Sequence, residues 1–438
     1  MMEPLTRQQF VDTYVGKKKR VYQRAKEQLE GEEVSLRKFA RIKCFIKSEA
    51  IKEDPRLIST RDPRFHMEFG RHIKVIEKGV FDDINHLFAT KRKFVEKLPT
   101  VLKGLNQQER GRVIKAKWDR FTNPVFVGLD VSRFDAHVSR ELLEVEAEVY
   151  KNRTTGNDSP FSFIQLMKAT MENHGKYSGK DGSIAYRIAG TRASGDMNTS
   201  LGNCTVMSAL LYSYLLSKSL LGDVEVIDDG DDAGIIMERE TYEKLRDIGS
   251  WYKTMGFTLK VEDPVGSIEE VEFCRCHPIY TPVGYTMCPN PYRRLYTDAI
   301  TDTPLLNLTT WRKWTGAVAG SGLATTAGLP IFQEYYRWFE RSSGLAWKAQ
   351  EGSFYHKYRD HLSERLKIQR RPVHPATRDS FARAYGVSPS KQIFLEQLMK
   401  SQALLQYSSR KLTVLTSSFL QTELPYSVTS VYESSIGE

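Results

Sequence analysis

Apolar residues recur along this chain in two rhythms, and the switches between them mark its elements. Pro124 to Leu129 is a continuous apolar run of strand length that stops on Asp130. Ser139 as a cap, Glu141 in a first turn, and Leu142, Val145 and Val149 on one face predict a helix directly after it. Ser194-Gly195 opens a second helix whose apolar face is Cys204, Met207, Leu211 and Leu215. Val224 to Ile227 and Ala233 to Met237 read as two strands joined by Asp228-Asp229-Gly230-Asp231-Asp232, a hairpin with an Asp-Gly turn. A helix from Thr241 to Met255, a strand from Phe257 to Val261 and a hairpin built from Val271 to Tyr280 and Gly284 to Cys288 follow. The order strand, helix, helix, hairpin, helix, strand predicts an α+β fold, an antiparallel sheet with helices on one face.

Outside this block the rhythm is less regular. Phe10 to Leu36 reads as a basic amphipathic helix and its loop; Lys17 to Arg20 fits a solvated helix face, with an RNA contact or a localisation signal as the other readings. From Arg37 to Lys78, cations including Lys43, Lys47, Lys52, Arg56 and Arg61 alternate with apolar pairs. That pattern predicts a basic ribbon of strands and turns, with Asp54-Pro55 and Asp62-Pro63 as turn signals. Lys151 to Arg187 is polar and Gly-rich at its end. The chain after Pro291 is aromatic, basic and helical in pattern to about Leu415, and a Ser/Thr-rich tail starts at Thr416.

Composition narrows the classes. A chain of 438 residues with 40% apolar residues is large enough for two or three lobes, which excludes wholesale disorder. The net charge of +10 favours a polyanionic partner, nucleic acid or an anionic membrane surface. Five cysteines are too few, and odd in number, for a disulfide framework, so a reducing compartment is expected. No apolar run approaches the roughly 20 residues that cross a bilayer, so the chain reads as soluble.

The candidate chemistry lies at strand ends. Asp130 with Asp135, and Asp231 with Asp232, are two acidic sites at strand ends, and adjacent antiparallel strands would bring Asp130 and Asp231 together. Carboxylates held this close repel unless a divalent cation sits between them, and such hard oxygen donors suit Mg²⁺. Alone, the Asp-Gly-Asp-Asp segment reads as a polar hairpin turn. Asp130 at another strand end, and the hydroxyl and amide groups of Ser194, Thr199 and Asn203 between the two sites, are unnecessary for a turn. Thr199 and Asn203 share a helical face, where they could read a ribose 2′-hydroxyl. Cys274, Cys276, His277 and Cys288 lack the usual pairing of zinc ligands, so no zinc is expected.

Asp130-Val-Ser-Arg-Phe-Asp135, Ser194-Gly-Asp-Met-Asn-Thr199 with Asn203, and Gly230-Asp231-Asp232 resemble polymerase motifs A, B and C of positive-strand RNA viruses. Arg56 to Phe65, Gly128 to His137 and Met197 to Asn203 resemble in particular the RNA-dependent RNA polymerases of the tombusvirus and carmovirus group. The likeness runs in order from Phe10 to Cys276. It implies a right-hand polymerase fold: fingers over 1–123, with the basic ribbon 37–78 resembling motif F, and again over 151–190. The palm, ferredoxin-like or RRM-like, would take 124–150 and 191–291, and a mainly helical thumb and tail 292–438.

The resemblance implies an enzyme, an RNA-directed RNA polymerase that replicates and transcribes a positive-strand genome with two Mg²⁺ or Mn²⁺ ions. Asp130, Asp231 and Asp232 would be catalytic and hold the metals, and Asp135, Ser194, Thr199 and Asn203 would select the ribonucleotide. Lys43, Lys47, Arg56 and Arg61 would contact the triphosphate or template. Lys253 or Lys260, in the region similar to motif D, would be a general acid, and Cys274 to His277 resembles the primer-grip hairpin of motif E. RNA template, nascent RNA and ribonucleoside triphosphates are the implied partners. Work in membrane-associated replication complexes of the host cytoplasm, with other viral replication proteins and membranes engaged through segments outside this chain, is the implied setting. The rival readings are a deoxynucleotide-using polymerase with a similar palm and a non-catalytic RNA-binding scaffold.

Overall fold

The computed structural model describes residues 1–31, 35–47, 56–91, 97–151, 153–155, 159–301, 307–344, 371–402 and 405. Among them the strands are β1 (Ile42–Ile46), β2 (Leu57–Thr60), β3 (Pro124–Val131), β4 (Glu172–Gly179), β5 (Gly182–Ala189), β6 (Val224–Asp228), β7 (Asp232–Glu238), β8 (Leu259–Val261), β9 (Cys276–Ile279) and β10 (Thr286–Pro289). Lys52, the Asp54-Pro55 turn and the tail from Thr416 lie outside the described residues.

The central sheet has the order β6-β7-β3-β8 with every neighbour antiparallel. In chain order this is strand, helices, hairpin, helix, strand, with the first strand between the third and the fourth. Val125, Val127, Leu129 and Val131 of β3 point to one face, where Leu143, Met207, Leu211, Tyr214, Ile248 and Tyr252 of the helices Arg140–Lys151, Thr199–Ser217 and Ile248–Thr254 cover them. Phe126, Ile227 and Ile236 point to the other, under Ile114 and Trp118 of the helix Gln107–Trp118 and under Val271, Phe273 and Met287. The fold is α+β as expected, but both faces of the sheet are covered. That is why β3 reads as a continuous apolar run rather than an alternating one.

A second sheet, β2-β1-β4-β5, joins the basic ribbon to the segment after Lys151 through the parallel pair β1–β4. The hairpin β9–β10 carries a helical C-terminal layer, whose core includes Leu323, Phe332, Tyr335, Tyr336, Phe339 and Phe381. Tyr385 donates to the Cys288 carbonyl at 2.6 Å, and Arg383 pairs with Glu269 at 2.6 Å, tying that layer to the hairpin region. No helix among the described residues is long and apolar enough to cross a membrane.

Several elements differ from the sequence expectation for identifiable reasons. Among the described residues of 37–78, strand is confined to β1 and β2, because Pro63–Ala89 is one long helix. Asp62-Pro63 is its start rather than a turn: the Asp62 side chain accepts from the Arg64 amide and Pro63 takes the first helical position. Helix Arg140–Lys151 buries Leu143, Glu146 and Tyr150, not Val145, which is 59% exposed. A buried ion pair at Glu146 turns the helix away from its apparent apolar stripe. The segment after Lys151 forms the helix Phe163–Met171, with Ser162 in a capping box, and the hairpin β4–β5. The helix expected at Ser194 begins at Thr199, and the one expected over Thr241–Met255 is split into a 3₁₀ segment, Arg239–Leu245, and Ile248–Thr254.

Candidate active site

Strand register builds the site. Leu129 faces Ala233 and Gly128 faces Gly234, so Asp130 stands opposite Asp232, the first residue of β7. On its other side Asp130 stands opposite Lys260 of β8. One row across the sheet therefore reads Asp232, Asp130, Lys260, and Asp231 belongs to the turn beyond the strand end. The strand partner of Asp130 is thus Asp232, and Asp231, expected opposite it, lies one residue earlier, in the turn.

The turn is held from below. Gly230 has φ +96°, a left-handed conformation, and a Cβ there would lie 3.2 Å from Asn203 Cβ. Its amide donates to Asp228 Oδ1 at 2.7 Å, and Ser208 Oγ lies 2.5 Å from Asp228 Oδ2. Asp228 is fully buried, and burial pushes its carboxyl up to about 8. Asp229 is gripped by Lys103 at 3.0 Å, Arg110 at 2.7 Å and the Cys274 thiol at 3.2 Å.

Loss of water, then the negative charges of Asp231, Asp229 and Asp130, push Asp232 up to about 6; the Arg275 guanidinium acts in the opposite sense. Cys274 and Arg275 are consecutive residues with φ +50° and +60°, a strained turn that places this cation where Asp232 feels it.

Among the described residues, no three His, Cys, Asp or Glu side chains enclose a metal ion by themselves. The donors nevertheless fit Mg²⁺ or Mn²⁺. Asp130, Asp231 and Asp232 are hard oxygen ligands whose mutual repulsion a dication would relieve, and Mg²⁺ typically needs one or two protein carboxylates with phosphates completing its shell.

Beside this row, Asp135 sits on the short helix Phe134–His137. Asn203 Nδ2 donates to Asp135 Oδ1 at 2.8 Å, while Asn203 Oδ1 is buried without a partner. Burial raises the Asp135 carboxyl, partly offset by the Asn203 hydrogen bond and the Arg192 charge. Ser194 and Thr199 do different work. Ser194 Oγ accepts from the Ser59 amide at 3.2 Å, and Thr199 Oγ1 donates to the carbonyls of Ala193 and Asp196 at 2.9 and 3.0 Å. The structure thus joins Asp135 to Asn203 and uses the two hydroxyls to shape the intervening loop.

The expected basic contacts separate into two kinds. Lys43 and Lys47 are exposed on or beside β1, and Arg56 is exposed just before β2, its carbonyl accepting from the Lys47 amide at 2.8 Å. Arg61 does not join them. Its guanidinium is buried and donates to Asp196 at 2.8 and 3.0 Å, to the carbonyls of Ala40 and Ala169, and to Asn173. A side chain so fully engaged is an internal brace, not a triphosphate ligand. Of the two lysines, Lys260 lies in the carboxylate row, whereas Lys253 is exposed near the end of helix Ile248–Thr254.

Sequence reasoning missed Asp228, the Lys103 and Arg110 grip on Asp229, Arg275, and a buried pair between Arg192 and Glu146 at 2.6 Å that also receives Asn198 at 2.7 Å. Glu146 carried a usable signal, a carboxylate at a core spacing of its helix. Gly202 carried another, since a Cβ there would meet the Arg192 guanidinium at 2.3 Å.

A family model described as viral RNA dependent RNA polymerase matches residues 1–406. The chain is 34% identical over 416 residues to the RNA-directed RNA polymerase of Oat chlorotic stunt virus, covering 91% of this chain and 54% of that protein. It is 35% identical over 399 residues to that of Pothos latent virus, covering 90% and 51%. Against that of Tomato bushy stunt virus the identity is 33% over 410 residues, covering 89% and 46%. The chain spans about half the length of these relatives. The resemblance first carried by Asp130, Asn203 and the Gly230-Asp231-Asp232 turn extends over nine-tenths of the sequence, and the chain belongs to the viral RNA-dependent RNA polymerase family.

Proposed function

We propose that this chain is the catalytic core of a right-hand polymerase that copies an RNA template into RNA. Fingers comprise 1–123 and 151–190, the palm 124–150 and 191–291, and the thumb 292–438. The observation that carries the reading is the convergence of Asp130, Asp232 and the Asp231 turn at one end of an antiparallel sheet, beside an Asp135–Asn203 pair with an unused amide oxygen.

In the reaction the 3′-hydroxyl of the nascent strand attacks the α-phosphate of a template-paired ribonucleoside triphosphate and pyrophosphate leaves. Asp130 and Asp231, with Asp232, would hold two Mg²⁺ or Mn²⁺ ions, which supply charge stabilisation to the attacking oxygen and the departing pyrophosphate. Asn203 Oδ1 accepts from the ribose 2′-hydroxyl, and Asp135 keeps the amide turned so that this oxygen is presented. Lys43, Lys47 and Arg56 bind the triphosphate or template from the β1–β2 side. Lys260 rather than Lys253 would act as general acid toward the leaving group, a reading supported by the row it shares with Asp130. The setting, as the family resemblance implies it, is a membrane-associated replication complex in the host cytoplasm.

The test incubates the purified chain with a heteropolymeric RNA, four ribonucleotides and Mg²⁺ or Mn²⁺, with and without primer. Template-length product is expected from the wild type and none from Asp231→Ala, whose RNA binding survives. Equal incorporation by the variant refutes the metal assignment, and preferential use of deoxynucleotides refutes the ribonucleotide reading.

A further inference from the structure

The helix Gly16–Gly31 carries its charges the wrong way round. Lys17, Lys18 and Lys19 fill its first turn and Arg20 follows, with no acidic residue there; Glu27 and Glu30 stand at the other end, with no basic residue in the last turn. Cations at a helix N-terminus oppose the macrodipole, as carboxylates do at the C-terminus. An i,i+4 ion pair on the helix, Lys26 with Glu30 at 3.7 Å, also runs in the less favourable orientation. Nothing in the helix itself rewards this arrangement.

Its inner side explains the remaining residues. Tyr22, Ala25 and Leu29 are buried at i, i+3 and i+7, and the Tyr22 hydroxyl reaches Met197 Sδ at 3.9 Å, so the helix is seated next to the loop that leads to Asn203. Lys18 lies over the Tyr14 ring at 4.8 Å and Lys19 pairs with Asp12 at 2.9 Å. Lys17, Arg20 and Arg24 have neither kind of contact. They are exposed, they recur at i, i+3 and i+7 on the side away from the buried residues, and among the described residues their side chains have no ion-pair or hydrogen-bond partner. Three exposed cations thus line up over roughly 10 Å of helix.

We propose that this face, Lys17, Arg20 and Arg24, binds the phosphate backbone of single-stranded RNA, a contact separate from the carboxylate site and independent of base sequence. The inference rests on the polymerase reading for the identity of the polyanion. An anionic membrane is the less suitable partner. The exposed apolar residues here are Val15 and Val21, at 42% and 39% exposure, without the large apolar face that an interfacial helix inserts.

Each phosphate neutralised on a single strand contributes about 0.7 to the slope of log affinity against log salt. The experiment titrates a fluorescent single-stranded RNA into the full chain at several salt concentrations. It compares wild type with K17Q/R20Q/R24Q and with a control of equal charge loss, K218Q/K244Q/R246Q. The patch variant should lose about 2 from the magnitude of the slope and bind at least about tenfold more weakly at low salt, while the control keeps the wild-type slope. The patch variant should melt no lower than wild type, since its first turn is relieved of like charge. Should it melt lower, R24Q alone, outside the first turn, gives the same readout with a slope change of about 0.7.

An unchanged slope in the patch variant and R24Q overturns the inference. So does loss of binding to phosphatidylserine vesicles with the RNA slope intact. Failure of the polymerase reading shows separately, as absence of nucleotide incorporation by the wild type, whatever the slope.

Discussion

Asp228 holds the turn that carries Asp231, and replacing it with asparagine separates its shape from its charge. In the folded chain its carboxyl is pushed up to about 8, so at neutral pH it is held mainly protonated, whereas in the unfolded chain it ionises near 3.8. Between these values the unfolded state has released a proton that the folded state keeps. The contribution of Asp228 to stability is therefore fully present below pH 3.8 and is lost as pH rises toward 8, at about 1.4 kcal/mol per pH unit. Asparagine imitates the protonated acid at every pH: its Oδ1 accepts from the Gly230 amide and its Nδ2 donates to Ser208.

Asp228→Asn should consequently gain on the wild type as pH rises, on the order of 4 kcal/mol at pH 7, with nucleotide incorporation retained within a few-fold. Urea unfolding of both proteins from about pH 5 to pH 8 measures the difference, in which all other titrating groups cancel. Asp228→Ala is the contrasting variant. It leaves the Ser208 hydroxyl and the Gly230 amide without their buried partner, about 1–3 kcal/mol for each, and it releases the turn. A stability difference between wild type and Asp228→Asn that stays flat across this pH range would refute the argument.

Other perturbations have different signatures. Asn203→Ala removes the buried amide oxygen proposed to accept from the 2′-hydroxyl, and single-nucleotide incorporation should show the preference for ribo- over deoxyribonucleotides falling about tenfold or more, equivalent to about 1.4 kcal/mol. An unaltered preference would move ribose selection elsewhere. Arg61→Ala should destabilise the fold by about 3–5 kcal/mol because Asp196 is left buried and unpaired. Arg56→Ala should instead raise the KM for nucleotide with little change in unfolding midpoint, and the opposite pattern would return Arg61 to the triphosphate. For Lys260→Ala, the rate of a chemistry-limited step should fall at least about tenfold, while Lys253→Ala keeps the wild-type rate; equal rates for the two variants would remove the general-acid role from Lys260.

Much of the site could be read before any coordinates because its parts are local. A strand ending on Asp130, a turn written Asp-Asp-Gly-Asp-Asp and a helix carrying Thr199 and Asn203 need only short-range pattern. Register is not local: whether Asp231 or Asp232 faces Asp130 depends on Leu129 lying against Ala233, a one-residue choice that the strands' similar apolar runs leave open. Long-range charge pairing is invisible for the same reason. Arg61 looked like one more cation in a basic ribbon, yet its partner Asp196 lies 135 residues away. The helix Pro63–Ala89 was hidden because its buried positions include His66, Glu68, Arg71 and His72, which disguise the apolar period.

Those buried charges explain how the loop before Asn203 keeps one shape. Asp196 is braced by Arg61, and Arg192 is tied to Glu146, which also receives Asn198; the Gly195 amide donates to the Ser59 carbonyl at 2.8 Å. Apolar residues of similar size would give equal or greater stability, since desolvating an ion pair costs about what its attraction returns. An apolar loop, however, could slide against its neighbours, whereas each carboxylate here fits a single guanidinium. A slip of one residue between Arg192 and Asn198 would strand a buried charge and carry Asn203 away from Asp135. The ion pairs therefore act on geometry more than on stability. The loop is clamped on one side by the basic ribbon and on the other by the helix Arg140–Lys151, so that the amide beside the carboxylate row arrives in one orientation.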